Sequence, residues 1–159
     1  MSPNEFQRLI ASVTREIADR DLNSSLADWL NRTWPPQSEK YEALADACRI
    51  GVEQGWLCNR EAGGIRFGRI LKALPETNGF SVDVVRMKDL VGPQHVHPNG
   101  EIDLIIPLEN GATFDGHPAG WWVYGPGSAH CPTVANGDAL VLYLLPQGAI
   151  EFTPAPSPN

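Results

Sequence analysis

The chain has 159 residues, enough for one domain with a substantial core and too few for two ordinary domains. Its 42% hydrophobic and 19% charged residues are typical of a globular protein and argue against a disordered or fibrous chain. The net charge of -7 disfavours contact with nucleic-acid phosphates or anionic lipid, so we expect no nucleic-acid partner and no membrane partner.

Residues 1–57 predict a segment of three helices. The first has an apolar face whose residues recur at helical spacing, namely Phe6, Leu9, Ile10, Val13 and Ile17. Asn23 can cap a second helix, which the prolines after Trp34 stop. Ser38 can cap a third, and Gly55 stands where a C-terminal cap belongs. We expect this segment to pack on the domain that follows.

Residues 58–153 change character, because Gly, Pro and Asn separate short apolar or alternating runs. The predicted strands are 64–74, 79–89, 101–108, 120–124, 139–145 and 149–153. Strands of this length and spacing are typical of an all-β sandwich or barrel, so the predicted fold class is mainly β. Residues 154–159 are rich in proline and are expected to form a loose tail.

The ends of the chain and its cysteines bear on location. The first residues contain no basic stretch followed by a long apolar run, so we expect no signal peptide. The cysteines, Cys48, Cys58 and Cys131, are an odd and widely spaced set that does not resemble a disulfide framework. Reduced thiols in a cytoplasmic protein are the simpler interpretation.

Three of the four histidines form a compact pattern with one glutamate. His95 and His97 are two residues apart, so on a strand their side chains share a face. Glu101 follows a Pro-Asn-Gly turn and is predicted to begin the next strand. His130 follows a Gly-Pro-Gly turn and is predicted to begin another.

These four side chains suit a single divalent transition metal, with Fe, Mn, Ni, Zn and Co all acceptable. Such a set also leaves coordination positions open for water or substrate. The alternative is an exposed histidine pair on a strand and an unrelated His130 in a loop. Burying three histidines and a carboxylate without an ion would be costly, which favours metal binding.

The same residues resemble the two motifs of the cupin superfamily. His95, His97 and Glu101 match the first motif, and Gly127 and His130 match the second. The resemblance implies a cupin-type, jelly-roll-like antiparallel β-barrel with His95, His97, Glu101 and His130 as metal ligands. The glycine that usually follows the glutamate is displaced, and Val134 stands where an asparagine is usual, departures that concern turns rather than ligands.

A closer resemblance covers most of the chain from about residue 50. Residues 58–65, 97–103, 114–117 and 144–152 are similar to a small family that includes 4-hydroxylaminobenzoate lyase of bacterial nitroarene degradation. The resemblance implies a metal-dependent lyase that converts 4-hydroxylaminobenzoate to 3,4-dihydroxybenzoate (protocatechuate) and ammonia. Cupins often form dimers, so we expect a homodimer or higher homo-oligomer, for which the apolar face of the helices is a candidate surface.

Two acidic residues are the predicted catalytic groups. Asp103 lies two residues after Glu101 and is expected on the same inward face. We predict that Glu101 and Asp103 handle protons beside the metal. An alternative role for Asp103 is to orient a metal-binding histidine.

The carboxylate of a benzoate-type substrate needs a cationic partner, and arginine binds carboxylates through two hydrogen bonds. The basic residues on strands predicted before the histidine motif are Arg66, Arg69, Lys72 and Arg86. Arg66 and Lys72 fall on one face of their run and Arg69 on the other. The predicted substrate-binding residues are Arg66, Arg86, Gln94 and Tyr143. Arg60 and Glu61 are expected to form a buried ion pair instead.

Two other functions remain open from the sequence. An iron-dependent cupin dioxygenase of aromatic compounds would use the same ligands, since three histidines and a carboxylate also suit iron and oxygen. A non-catalytic cupin that binds a metal or ligand would show binding without turnover.

Overall fold

The computed structural model describes residues 1–153, and the predicted tail of residues 154–159 lies outside them. Three α-helices come first: α1 (Pro3–Ile17), α2 (Ser24–Thr33) and α3 (Glu39–Gln54). The strands are β1 (Arg60–Ala62), β2 (Ile65–Leu71), β3 (Phe80–Val91), β4 (His95–His97), β5 (Glu101–Pro107), β6 (Thr113–Phe114), β7 (Gly120–Tyr124), β8 (Ser128–His130), β9 (Thr133–Pro146) and β10 (Glu151–Phe152). A short 3-10 helix, Pro75–Thr77, precedes β3.

Polar caps set the ends of the helices, as the sequence predicts. The backbone N–H of Leu26 donates to the side chain of Asn23 at 3.0 Å, which begins α2. The backbone N–H of Tyr41 donates to Ser38 in the same way at the start of α3. Gly55 ends α3 with a φ of 85°, a left-handed conformation that glycine adopts without strain.

The strands form two antiparallel sheets. The large sheet has the order β1-β2-β3-β9-β5-β7, with β6 paired to β9, and the small sheet has the order β10-β4-β8. The predicted mainly β, antiparallel class with N-terminal helices is confirmed. The closed barrel is corrected to a cupin-like β-sandwich, because β4, β8 and β10 are only two or three residues long and pair with one another rather than with the large sheet.

Both faces of the large sheet are covered. Alternate residues on one face, such as Val84, Leu104 and Leu142, pack in one core with the apolar sides of the three helices. The Tyr41 hydroxyl donates to the backbone oxygen of Ile105 at 2.6 Å and ties α3 to β5. The apolar face of the helices is therefore buried within the chain, which argues against its predicted use as a homodimer surface.

The opposite face of the large sheet looks toward the small sheet. Met87, Ile105, Phe114 and Tyr143 form a second buried cluster there. Because this face combines apolar residues with Glu101 and Asp103, it is the face on which polar chemistry is placed. None of the helices within residues 1–153 is long and apolar enough to cross a membrane.

Candidate metal centre

The four residues predicted as metal ligands converge between the two sheets. His95 and His97 lie on β4, with the less buried Val96 between them. Glu101 is the first residue of β5, as predicted. His130 is the last residue of β8 rather than the first of a strand, and its Cα is paired with that of His95. The small sheet thus supplies three imidazoles and the large sheet supplies the carboxylate.

Gly100 allows the tight turn that joins β4 to β5. Its φ of 87° belongs to the left-handed region, and a Cβ atom there would lie 2.7 Å from a Leu22 methyl carbon and 2.8 Å from the Tyr124 carbonyl oxygen. Any side chain at this position would displace the turn that carries Glu101 back toward His97.

The ligand atoms have the spacing of a coordination shell. Nε2 of His97 and Nε2 of His130 lie 3.2 and 3.4 Å from Oε2 of Glu101. Nε2 of His95 lies 3.6 Å from Oε1 of the same carboxylate and 3.0 Å from Nε2 of His130. Donors that each stand about 2.0–2.2 Å from one shared ion are separated by about 3 to 4 Å, so the distances fit.

The hydrogen bonding points to the same conclusion. Although these atoms are close, Nε2 of His97 and both carboxylate oxygens of Glu101 make no hydrogen bond to any residue that the structure describes. His97 and Glu101 are fully buried, and such groups normally find partners. A cation at their common centre would satisfy all of them, so the cluster of His95, His97, Glu101 and His130 could bind a metal.

Asp115 orients His130 and was not identified from the sequence. Its Oδ2 lies 2.5 Å from Nδ1 of His130 and accepts a hydrogen bond from the Tyr124 hydroxyl at 2.6 Å. Its Oδ1 accepts the backbone N–H of Thr133 at 2.8 Å. A carboxylate on Nδ1 keeps the proton there and leaves Nε2 free to bind a metal. The Asp-Gly pair at 115–116, a turn signal, was the available clue.

Ser128 plays the same part for His97. Its hydroxyl donates to the Gly125 carbonyl oxygen at 2.6 Å, so toward Nδ1 of His97, 2.9 Å away, it can only accept. His97 is thereby fixed with the proton on Nδ1 and with Nε2 aimed at Glu101.

The charges in the cluster support one another. Burial by itself raises the pKa of Glu101, but the three neighbouring imidazoles outweigh burial and hold the pKa well below its usual range. Burial by itself lowers the pKa of His130, but the carboxylates of Asp115 and Glu101 outweigh it and raise the pKa to about 9. Without a cation, the raised pKa of His130 favours a proton there, which would offset the charge of the buried Glu101 carboxylate.

Asp103 lies beside this cluster on the same face of β5. It is fully buried, and neither of its carboxyl oxygens has a hydrogen-bond partner within residues 1–153. Burial, together with the nearby Glu101 carboxylate, raises the pKa of Asp103 well above its ordinary value. Its neighbours across the strands are Tyr143 and Trp122.

A cavity of about 600 Å³ opens next to the cluster. His95 and Tyr143 line one part of it, and Arg60 and Arg69 line another. Apolar side chains form most of the remaining wall: Ile65, Phe67, Val85, Met87, Ile150 and Phe152. A volume of this size with a few convergent polar groups is typical of a small-molecule site.

Of the predicted substrate-binding residues, the structure brings Tyr143 to the cavity but not Arg66, Arg86 or Gln94. Arg66 and Arg86 are paired across β2 and β3, while Phe67 and Val85, their neighbours in the chain, line the cavity. Successive side chains point to opposite faces of a sheet, so both arginines point away.

Gln94 precedes His95 in the chain, and its backbone oxygen accepts the N–H of Thr153, so its role in substrate binding stays a prediction. One further expectation is corrected. Arg60 and Glu61 are not a buried ion pair, because both are exposed on β1. Alternation on that strand directs Arg60 to the cavity face, opposite Phe67.

Comparison with known proteins gives a consistent result. Residues 8–152 match the family model described as PnbB: 4-hydroxylaminobenzoate lyase. A 4-hydroxylaminobenzoate lyase of Pseudomonas putida is 33% identical, with 94% of both chains covered. A 4-hydroxylaminobenzoate lyase of Nocardioides sp. (strain LMS-CY) is 37% identical, with 89% of both chains covered.

Solved structures with partial similarity include cupins. An RmlC-like cupin protein from Ralstonia eutropha is 13% identical with a TM-score of 0.39, over 54% of this chain and 57% of the other. A cupin-like protein from Thermotoga maritima is 15% identical with a TM-score of 0.36, over 59% of this chain and 79% of the other.

Proposed function

The chain belongs to the 4-hydroxylaminobenzoate lyase family, and from this premise we propose that it converts 4-hydroxylaminobenzoate to 3,4-dihydroxybenzoate and ammonia. The observation that carries the proposal is the buried cluster of three histidines and Glu101, whose free donor atoms converge beside a cavity of about 600 Å³. The cavity has the size and apolar lining suited to a single aromatic ring.

We propose that His95, His97, Glu101 and His130 hold one divalent transition metal. When bound, such an ion would supply Lewis-acid chemistry at the inner end of the cavity. Asp115 and Ser128 hold His130 and His97 in the tautomer that leaves Nε2 free, so the chain presents its donor atoms already oriented.

We propose Asp103 as the residue that moves protons during the reaction. Its carboxyl group shares a face with Glu101 and is completely buried, which favours the neutral acid. A neutral carboxyl group can donate its proton to the hydroxylamine oxygen as the N–O bond breaks, and it can take a proton back from the attacking water. Glu101, surrounded by imidazoles, keeps its negative charge and stabilises positive charge at the centre.

The overall reaction balances without an added oxidant or reductant. One water adds to the substrate and one ammonia leaves, while cleavage of the N–O bond supplies the oxidising equivalents for the new ring hydroxyl. The departing nitrogen is released by hydrolysis of the imine that remains on the ring. The protein therefore has to bind the ring, admit water and relay protons. The cavity, with Tyr143 in its wall, binds the ring, and Asp103 relays protons.

The test is anaerobic incubation of the metal-reconstituted protein with 4-hydroxylaminobenzoate, followed by assays for ammonia and protocatechuate. We expect both products, and we expect a chelator or His97→Ala to abolish them. His117→Ala is the matched control, since His117 is the one histidine outside the cluster and stacks on Trp122 instead. It should retain bound metal at the level of the unaltered protein.

Other outcomes would separate the alternatives. Absence of product from fully metal-loaded protein would refute the lyase assignment. Consumption of oxygen with a catechol-like substrate would identify a dioxygenase, and ligand binding without any product would identify a binding protein.

We also propose that the protein is cytoplasmic and forms a homodimer or higher homo-oligomer. The three free cysteines support a reducing compartment. Exposed Val91 and Phe152, each with more than half of its surface accessible, are apolar positions at which a second copy would bury area. Light scattering coupled to gel filtration would give the oligomeric state directly.

A further inference from the structure

We propose that Arg60 binds the carboxylate of the substrate at the part of the cavity farthest from the metal centre. The assignment rests on the proposed function for the identity of the ligand, an aromatic carboxylate. It replaces Arg66 and Arg86, which the sequence suggested for this task and which face away from the cavity.

The layout of the large sheet gives the cavity two different ends. Tyr143 on β9, next to His95, lies at one end, and Arg60 on β1 lies three strands away at the sheet edge. The strand register places Arg60 level with Val141, two residues from Tyr143 along β9. With strands about 4.8 Å apart and about 3.4 Å per residue, the backbones of Arg60 and Tyr143 are separated by about 16 Å. A long arginine side chain can extend over the cavity from that edge, leaving room for one ring between it and His95.

The proposed reaction fixes the direction in which an aromatic carboxylate would enter. The hydroxylamine has to lie beside the metal-binding cluster and Asp103, so the carboxylate, on the opposite side of the ring, has to point to the other end of the cavity. The basic side chains that line the cavity, Arg60 and Arg69, are on β1 and β2 at the other end. The ligand carboxylate therefore belongs with the arginines and the hydroxylamine with the histidines.

Arg69 is not the better anchor, because its charge is already matched. Its Nε and Nη2 donate to the two carboxylate oxygens of Asp83 at 2.9 and 3.0 Å, and Nη2 also reaches the Gly148 carbonyl oxygen. A guanidinium whose N–H donors are engaged in this way has few left for a second carboxylate.

Arg60, by contrast, makes no salt bridge within residues 1–153 and is exposed at the edge of the cavity. In a chain of net charge -7, a cation without a partner that faces a ligand-sized cavity is the natural attachment point for an anion.

The wall beneath Arg60 suits the ring of the same ligand. The Cα of Arg60 is paired with that of Phe67, and side chains of directly paired residues are neighbours on one face. Phe67 is paired in turn with Val85, and Phe67, Val85 and Met87 together line the cavity. A ring lying on this wall would carry its carboxylate toward Arg60 and its nitrogen toward His95.

Binding of unreactive ligands to the metal-loaded protein tests the anchor directly. The probes are 4-aminobenzoate, which keeps the carboxylate and lacks the reactive hydroxyl, and aniline, which lacks the carboxylate as well. Isothermal titration calorimetry should show that Arg60→Gln weakens 4-aminobenzoate about 10- to 100-fold, the range for loss of a charge-assisted hydrogen bond. Aniline should bind equally to both proteins.

Arg66→Gln is the matched control, because Arg66 lies on the neighbouring strand but on the opposite face. It should leave both dissociation constants unchanged, and Arg60→Lys should restore part of the affinity for 4-aminobenzoate. Equal affinity of Arg60→Gln and the unaltered protein for 4-aminobenzoate would overturn the proposal. So would an equal loss of both ligands, or no measurable binding of 4-aminobenzoate by the unaltered protein.

Turnover separates failure of the anchor from failure of the proposed function. With 4-hydroxylaminobenzoate, Arg60→Gln should raise KM, while phenylhydroxylamine, the neutral analogue, should be processed equally by both proteins. Carboxylate binding through Arg60 without product from the unaltered protein would support the anchor and refute the lyase. Product formation with a KM that Arg60→Gln does not change would support the lyase and refute the anchor.

Discussion

Replacing Asp115 with asparagine should weaken metal binding although Asp115 is not itself a ligand. The carboxylate accepts from His130, Tyr124 and the backbone of Thr133. An asparagine amide keeps one oxygen for the Thr133 N–H and turns an NH2 group, a donor, toward Nδ1 of His130. Nδ1 must then accept, so the imidazole proton moves to Nε2, the atom that has to bind the ion.

The size of the effect follows from this change of tautomer. His130 must either lose the proton on Nε2 or break its new hydrogen bond before it can bind. Loss of such an orienting partner lowers metal affinity about 10- to 100-fold, which corresponds to about 1.4 to 2.7 kcal/mol. The other ligands, His95, His97 and Glu101, are untouched, so the site should still fill at high metal concentration.

Competition between the metal-free protein and a chromophoric chelator for Zn²⁺ measures this affinity. Asp138→Asn is the control, because Asp138 has a similar side-chain exposure, 13% against 11% for Asp115, and is also ion-paired, to Arg86. It should leave the affinity for Zn²⁺ unchanged. Equal affinities for Asp115→Asn and the unaltered protein would refute the reasoning, as would an equal loss in both variants.

Three further predictions concern catalysis, thiols and alkaline stability. Asp103→Asn should lower kcat about 100-fold or more with metal content unchanged; normal kcat would contradict its role. A thiol reagent should label Cys131 in the folded protein, and the buried Cys48 and Cys58 only after unfolding; mass spectrometry distinguishes them. Burial raises the pKa of Cys58 to about 11 and of Tyr41 to about 12. The free energy of unfolding should therefore be constant below the ordinary values of 9.0 and 10.0, then fall as pH rises through the raised ones, as urea titrations at stepped pH would show.

Much of the fold could be predicted because its signals are local. Asn23, Ser38 and Gly55 mark helix ends through contacts with residues three or four positions away. The sandwich could not be told from a barrel, because closure depends on which distant strands pair. β4 and β8 are each three residues long, too short for a periodic signal, yet their pairing decides that a second sheet exists.

The same distinction holds in the candidate site. His95, His97 and Glu101 lie within seven residues of chain, so strand geometry brings them together once a turn is placed between them. Asp115 meets His130 across 15 residues and Ser128 meets His97 across 31, and nothing in the local pattern links either pair. The alternation of side chains on β2 places Arg66 and Arg69 on opposite faces of the sheet. The helices cover one face and leave the other to border the cavity, and the local sequence does not show which face that is.

The central place of β9 in the large sheet has a consequence for how the chain folds during synthesis. This strand, Thr133–Pro146, pairs with β3, β5 and β6, so it holds the large sheet together although it follows the other strands of that sheet in the chain. During translation the helices emerge first, with apolar sides that have no completed sheet to cover. Because so many contacts join residues far apart in sequence, folding should be slow, and the large sheet cannot be completed until β9 has been synthesised. Premature termination before β9 would therefore leave an aggregation-prone fragment instead of a partly active enzyme.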